Sequence, residues 1–493
     1  MEFYNLLELP FDATQDEIRK AYFDAAKIYH PDVNQSSEVQ EKFLNIQKAY
    51  ESLIDTQKRK IYDSGIPDQY KNQKQIQVNA FYSRTNIPLI EDDQLFYLLL
   101  DIFPINQKNP DILPPINLCI VLDKSTSMQG IFLDKIKSET VNLLKLLRED
   151  DTFSVVAFSD FAEVLIPPTK VSNYSAFSTR ILSLYASGAT EIFQGLKTGV
   201  EVLRSLKTTN QVNQIILLTD GHTYGDEEKC IELMRQAVED GISFHAIGIG
   251  DEWNDQFLDD LSKVSNGETS FVSSAQEMYD TLVQKIKSSG IALAKSVKLN
   301  LELGPLVELQ YSFRMSPDLS PLETGKQIQL GNLLLGKHLR VLLELRIPKL
   351  DPDINELKIM QGSIKFDIPS NPINVTRLFF DLRKPVTRSF EKDPPPTIIV
   401  NAMSSLTLYR IQEKARKEAK EGNIVGATRH LHNVATHLLA QGDRKLAHTI
   451  LEEAENLKVN KSFSDLGEKK MKYGTRSLML LPDSEREEND NLS

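Results

Sequence analysis

A chain of 493 residues is too long for one hydrophobic core and implies three or four domains. Its net charge of −12, from 69 acidic against 57 basic residues, argues against a surface that tracks nucleic-acid phosphates, and two cysteines, Cys119 and Cys230, cannot build a disulfide framework. There is neither a run of 18 apolar residues nor a basic segment leading into an apolar one, so a cytoplasmic protein with no membrane span and no secretory signal is expected.

Residues 1–66 read as helices. Asp12 or Thr14 can cap a helix whose apolar positions Ile18, Tyr22, Ala25, Ala26 and Tyr29 recur at helical spacing, and Pro31 stops it. A second helix is expected over 38–53, with Val39, Phe43, Ile46, Ala49, Tyr50 and Leu53 on one face. Residues 67–78 form a polar linker, and 79–111 carry strands around the apolar run LFYLLLDIFP. Over 112–290 apolar strands (NLCIVLD, TFSVVAFS, NQIILLTDG, SFHAIGIG) alternate with helices at 132–147, 190–206, 227–239 and 275–288, the pattern of a mainly parallel sheet covered on both faces. Residues 291–390 return to strands, with SVKLNLEL alternating as a half-buried strand should. Strands on both sides of the α/β segment predict a β-sandwich with that segment inserted. Residues 391–480 are helical, over 406–420, 425–440 and 445–457, either packed on the sandwich or offering a protein-binding groove. The acidic end, 481–493, is expected to be disordered.

His30-Pro31-Asp32 sits inside KAYFDAAKIYHPDVN, preceded by FYNLLELPFDATQDEIRKAY and followed by EKFLNIQKAYESLID. That succession resembles the J domain of DnaJ-family co-chaperones. The resemblance implies a helical hairpin that docks on a DnaK-type chaperone, with His30, Pro31 and Asp32 as the ATPase trigger and Arg19, Lys20 and Lys27 as the basic face. One departure stands out. Phe23-Asp24 occupies the place of a basic pair, and residues 1–66 carry 12 acidic against 8 basic side chains. No Gly/Phe-rich linker or CxxC repeat follows.

VLDKSTSM places Asp123, Ser125 and Ser127 just past an apolar strand, SGATEI places Thr190 in a loop opening a helix, and LLTDG places Asp220 at another strand end. Ligands of open α/β sheets bind outside the carboxyl ends of strands. Two carboxylates and three hydroxyls make an all-oxygen set suited to a hard cation such as Mg²⁺, and lack the nitrogen and sulfur that Zn²⁺ prefers. DxSxS, GATxI and LLTDG in this order resemble the metal-ion-dependent adhesion site of von Willebrand A domains. In that family Ser125, Ser127 and Thr190 would coordinate through hydroxyls, Asp123 and Asp220 largely through water, and a partner's carboxylate would complete the shell of Mg²⁺ (or Mn²⁺ or Ca²⁺). The GDEWND loop also looks like that of bacterial A domains, though Trp253 is expected to pack rather than to contact a partner. Weaker likeness to bacterial proteins that carry the A domain on a β-sandwich rests on LGNLLLGKHLRVLLELRIP and KMKYGTR.

The fold class expected is therefore multidomain α/β: a helical J domain, a doubly wound Rossmann-like A domain inserted in a β-sandwich, and a C-terminal α-helical region. No phosphate-binding loop or G-x-S-x-G elbow occurs, and DKSTS has a serine where a phosphatase needs its second acid. His430, His432, His437 and His448 read as surface or interface residues. A non-enzymatic co-chaperone follows, joining a DnaK-type chaperone to a client that offers the metal an acidic residue, with no nucleic-acid or membrane partner. The alternative is a metal-dependent scaffold for an AAA-type ATPase system, with a J domain that does not stimulate.

Overall fold

The computed structural model describes residues 2–32, 36–66, 76–105, 114–170, 174–206, 211–220, 225–250, 253–265, 267–272, 274–290, 292–368, 375–388, 394–440 and 442–478. Most of the expected linker and all of the acidic end (481–493) lie outside them.

The chain begins with α1 (Glu2–Leu6), α2 (Gln15–Tyr29), α3 (Ser37–Ile54) and α4 (Thr56–Ser64). Thr14, not Asp12, starts α2. Its side chain accepts the Glu17 N–H, and the Glu17 carboxylate accepts the Thr14 N–H, which satisfies two donors that helix geometry orphans. Ile18 and Ala21 pack on Ile46, Ala49 and Leu53, closing a small core with Tyr4, Leu7 and Leu9. Arg59 ties α4 back through bonds to the Phe11 and Ala13 carbonyls.

Next come β1 (Ile76–Tyr82), β2 (Ile87–Pro88) and β3 (Gln94–Pro104). The linker expected to reach residue 78 thus ends by Ile76, because Ile76 and Val78 already pair with Pro104 and Ile102. The α/β unit follows: β4 (Ile116–Asp123), α5 (Ile131–Leu144), β5 (Thr152–Phe158), β6 (Ala162–Lys170), α6 (Tyr174–Leu182), α7 (Ile192–Ser205), β7 (Val212–Thr219), α8 (Glu227–Glu239), β8 (Ile242–Ile249), α9 (Asp255–Val264), β9 (Glu268–Val272) and α10 (Ala275–Gly290). Its sheet runs β6-β5-β4-β7-β8-β9, parallel except for β6. Successive β4 residues face opposite layers: Leu118, Ile120 and Leu122 meet α5, α6 and α10, while Cys119 and Val121 meet α7, α8 and α9. Sequence reasoning did not anticipate β6, whose Pro167 and Pro168 are tolerable only because it is an edge strand.

The chain then completes the sandwich with β10 (Ala292–Leu303), β11 (Glu308–Ser316), β12 (Ser320–Pro321), β13 (Gln327–Leu334), β14 (Leu339–Ile347), β15 (Glu356–Asp367) and β16 (Val375–Thr387). One sheet is β1-β3-β14-β11-β12 and the other β13-β10-β15-β16-β2, so the A-type unit is inserted between β3 and β10. Phe96, Leu98, Leu100 and Ile102 of β3 point into the core between the sheets. Asp101 and Arg340 are register partners on β3 and β14 and form a buried ion pair, Arg340 Nε to Asp101 Oδ1 at 3.0 Å, each side chain 2% exposed. His338 Nδ1 lies 2.7 Å from the same oxygen, and its ring stacks on Phe103.

Four helices end the chain: α11 (Thr397–Lys420), α12 (Ile424–Ala440), α13 (Arg444–Asn460) and α14 (Asp465–Leu478). α11 covers the first sheet's outer face, where Leu99, Phe313 and Leu342 meet Ile399, Ala402, Leu406 and Tyr409, and α12, α13 and α14 stack in succession on it. α11 starts nine residues before its expected position, and α14 was not foreseen. α14 also reaches the inserted unit. Lys472 and Arg476 pair with Asp259, and Lys472 and Arg416 with Asp255. Burial pushes the Asp259 carboxyl up, but Arg476 and Lys472 outweigh it and hold it well below the usual carboxylate range. No helix among the described residues is long and apolar enough to cross a membrane.

Removing one member of a buried ion pair strands the other charge. Arg340→Ala should therefore cost about 3–5 kcal/mol in urea unfolding, whereas the paired replacement Asp101→Leu with Arg340→Met should recover most of it. Equal losses in both variants would show that the pair's charges are not what matters.

Candidate metal site and chaperone-docking hairpin

β4 lies between β5 and β7, so the sheet's direction of winding reverses beside it, and a crevice opens at its carboxyl end. Asp123 is the last residue of β4 and is fully buried. Its Oδ1 accepts the Ser125 N–H at 2.8 Å, and its Oδ2 accepts the Thr219 hydroxyl at 2.6 Å. Burial pushes the Asp123 carboxyl up, against the bonds from Thr219 and Ser125. Ser125 Oγ and Ser127 Oγ are 3.0 Å apart, and Ser127 donates to Asp220 Oδ1 at 2.9 Å. Four of the five predicted donors thus form one connected cluster.

Thr190 is brought to the same edge by its loop. Gly188 O accepts both the Thr126 N–H and the Thr126 hydroxyl, Ser187 donates its N–H to Lys124 O, and Ala189 donates its N–H to Asp160 Oδ1. Gly188 is required there: its φ is +80°, and a Cβ would sit 2.2 Å from Asp160 Oδ2. The cluster suits a hard divalent cation on chemical grounds. All five donors are oxygens, and the buried Asp123 carboxylate has hydrogen bonds but no cationic partner among the described residues. No group of three or more His, Cys, Asp or Glu side chains able to hold a metal occurs among the described residues, so a site here depends on hydroxyl ligands.

Sequence reasoning missed the rim of this edge. Phe161 and Tyr185, 63% and 73% exposed, flank Lys124, whose Nζ lies 5.7 and 5.8 Å from their ring centres. Nothing in the sequence marks these rings, because they come from separate loops. Trp253 is buried and packs on Gly248, where a Cβ would lie 2.1 Å from the indole. Both cysteines are buried, and burial pushes the Cys119 thiol up to about 12, so it stays protonated and unreactive.

In the N-terminal hairpin, His30 caps α2 and its ring edge meets Phe43 at 5.3 Å between centres. The Asp32 N–H donates to His30 Nδ1 at 3.2 Å, and the Asp32 side chain is 88% exposed. Pro31 lies between them, half-buried. Arg19 pairs with Asp16 and Lys27 with Asp24 on the helix surface, and Lys20 is exposed. The four C-terminal histidines do not converge: His430 lies by Glu418 on the neighbouring helix and His448 by Glu452 on its own.

Known proteins carry these same units. A family model described as DnaJ domain matches residues 2–63, one described as von Willebrand factor type A domain matches 117–285, and one described as Sll0103-like, C-terminal alpha-helical domain matches 397–481. The uncharacterized protein sll0103 of Synechocystis is 32% identical over 336 residues, which span 65% of this chain and 78% of that one. The chain belongs to the Sll0103-like family of bacterial von Willebrand A proteins. Its N-terminal J domain is 53% identical over 62 residues to the chaperone protein DnaJ of Streptococcus agalactiae serotype Ia, of which the chain spans 17%. A solved structure, the von Willebrand factor type A protein from Catenulispora acidiphila, shares the family's fold with a TM-score of 0.67 over 82% of this chain and 96% of its own, at 13% identity. J and von Willebrand A domains are typically interaction modules rather than catalysts.

Gly188→Ala should cost about 1–3 kcal/mol through overpacking and loosen the loop that carries Thr190. Hydrogen exchange at the Thr126 amide should quicken in the variant. Unchanged protection there would show that the loop tolerates a side chain.

Proposed function

We propose that this protein is a J-domain adaptor that brings a DnaK-type chaperone to a client held by the A-type domain through a divalent cation. The observation that carries the reading is the buried Asp123 carboxylate joined to Ser125, Ser127 and Asp220 at the sheet's winding reversal. Ser125, Ser127 and Thr190 would hold Mg²⁺ through hydroxyls, and Asp123 and Asp220 through charge and bound water. When bound, such an ion supplies a positive centre that attracts a further carboxylate, because hydroxyl ligands neutralise little of its charge. Phe161 and Tyr185 then offer apolar contact beside that carboxylate, held apart by Lys124, whose charge is met by Glu163 at 3.5 Å. On the J domain, His30, Pro31 and Asp32 form the exposed turn that would trigger ATP hydrolysis in the chaperone, guided by Arg19, Lys20 and Lys27.

Two measurements test the two halves. Calorimetric titration of Mg²⁺ and Mn²⁺ into the full chain should give saturable heats that fall at least about tenfold in affinity, some 1.4 kcal/mol, in Asp123→Ala and Ser127→Ala, with far-ultraviolet dichroism unchanged. Identical heats in wild type and Asp123→Ala would mean that the cluster is only a well-bonded turn. In a single-turnover assay the full chain should speed ATP hydrolysis by a DnaK-type chaperone, and His30→Gln should abolish the effect. Stimulation that survives His30→Gln would remove the trigger from this turn.

A further inference from the structure

Residues 20, 23, 24 and 27 form one stripe along α2, on the side away from the helix's own core. Lys20, Phe23, Asp24 and Lys27 are not packed away: Phe23 is 59% exposed and the Lys27 side chain 76%. They line a groove of about 1160 Å³ whose opposite wall is the sandwich, including Leu301 and Phe379. At its margin Glu8 Oε1 accepts from Lys365 Nζ at 2.7 Å and Glu8 Oε2 from Arg377 Nη2 at 2.6 Å. Arg377 Nη1 also reaches Asp24 Oδ2 at 3.4 Å. Phe379 packs against the hairpin core, with the Arg377 guanidinium near its ring. Asp24 is the residue that breaks the expected basic pair, and here it has a partner within the chain.

We propose that the sandwich is the resting partner of α2: Glu8 and Asp24 latch the J domain onto Lys365 and Arg377, and the stripe meets a chaperone only when the latch opens. This rests on reading residues 2–63 as a chaperone-docking domain. Charge complementarity argues for the pairing, since an acidic hairpin surface meets two cations that the sandwich presents together. The ion pairs remain partly solvated, with Arg377, Glu8, Lys365 and Asp24 side chains 18%, 27%, 31% and 43% exposed, so salt screens them and the latch is weak enough to reverse. His30 and Asp32 lie at the end of α2 outside the groove, so a chaperone can touch the turn while the sandwich wall stands opposite the stripe, but it completes its contact only after release.

The test uses the full chain with spin labels at Lys48→Cys and Asp353→Cys, both exposed, while Cys119 and Cys230 are buried and do not compete. At low ionic strength the wild-type interspin distance should be narrowly distributed. It should broaden in Lys365→Glu with Arg377→Glu, and narrow again when Glu8→Lys and Asp24→Lys are added. Stimulation of a DnaK-type ATPase by the unlabelled proteins should rise at least about threefold in the double reversal, as expected if the undocked fraction grows from well below a third toward one, and fall back in the swapped protein. A broad wild-type distribution, a narrow one in the double reversal, or equal stimulation by all three would overturn the latch. Absence of stimulation by every protein would overturn the chaperone reading and the gating with it, and the distances would separate that failure from failure of the contact.

Discussion

Asp101 and Arg340 set the frame for everything else. Both are buried, they face each other across β3 and β14, and 239 residues separate them in sequence. A strand register can slip when only apolar side chains specify it, because a shift of two residues returns the same faces to the same sides. A buried charge pair forbids that shift, since any displaced register leaves two unpaired charges in the core. The pair therefore fixes how β3 sits between β1 and β14. Both sandwich sheets and the attachment of the inserted unit follow from that position. The outer face of the same sheet, through Leu99 and Leu342, is the platform for the C-terminal helices.

A second set of charges makes the inserted unit part of one body. Asp255 and Asp259 project from α9; Arg416 comes from α11, which rests on the sandwich, and Lys472 and Arg476 from α14, which packs on α11 and α13. Lys469 adds a bond to the Trp253 carbonyl, and the Tyr473 ring packs beside the indole. An inserted domain joined only by its two chain crossings would be free to tilt. These contacts give it a third support, on the α9 side of the sheet. The candidate cation cluster is thus carried by a unit that α14 steadies.

Much of this was legible in the sequence because local patterns encode it. Strand alternation, the capped helix before Pro31 and the DxSxS loop each announce themselves within a few residues. Four of the five proposed cation donors are joined by hydrogen bonds, which their positions at strand ends anticipated on topology alone. What escaped was non-local. Lys472 and Arg476 within KMKYGTR look like solvent-facing residues until α9 supplies their acids. Asp24 reads as an anomaly in a basic helix face until Arg377 lies beside it. The prolines of β6 hid a strand because only an edge position excuses them. Phe161 and Tyr185 become neighbours only through Lys124. In each case the partner lies elsewhere in the chain, and no periodicity records it.

The placement of β3 has a consequence for how the protein is made. At ribosomal rates of about 5–20 residues per second, the 239 residues between Asp101 and Arg340 take on the order of 10–50 s to synthesise. The helical hairpin has left the ribosome by then, and the inserted unit can close its own parallel sheet during the wait. β3 cannot finish pairing, because its central neighbour does not yet exist. For that interval Phe96, Leu98, Leu100 and Ile102, all buried in the finished sandwich, have no opposite sheet to cover them. The segment that organises the mature molecule is therefore the one a nascent chain must shelter longest.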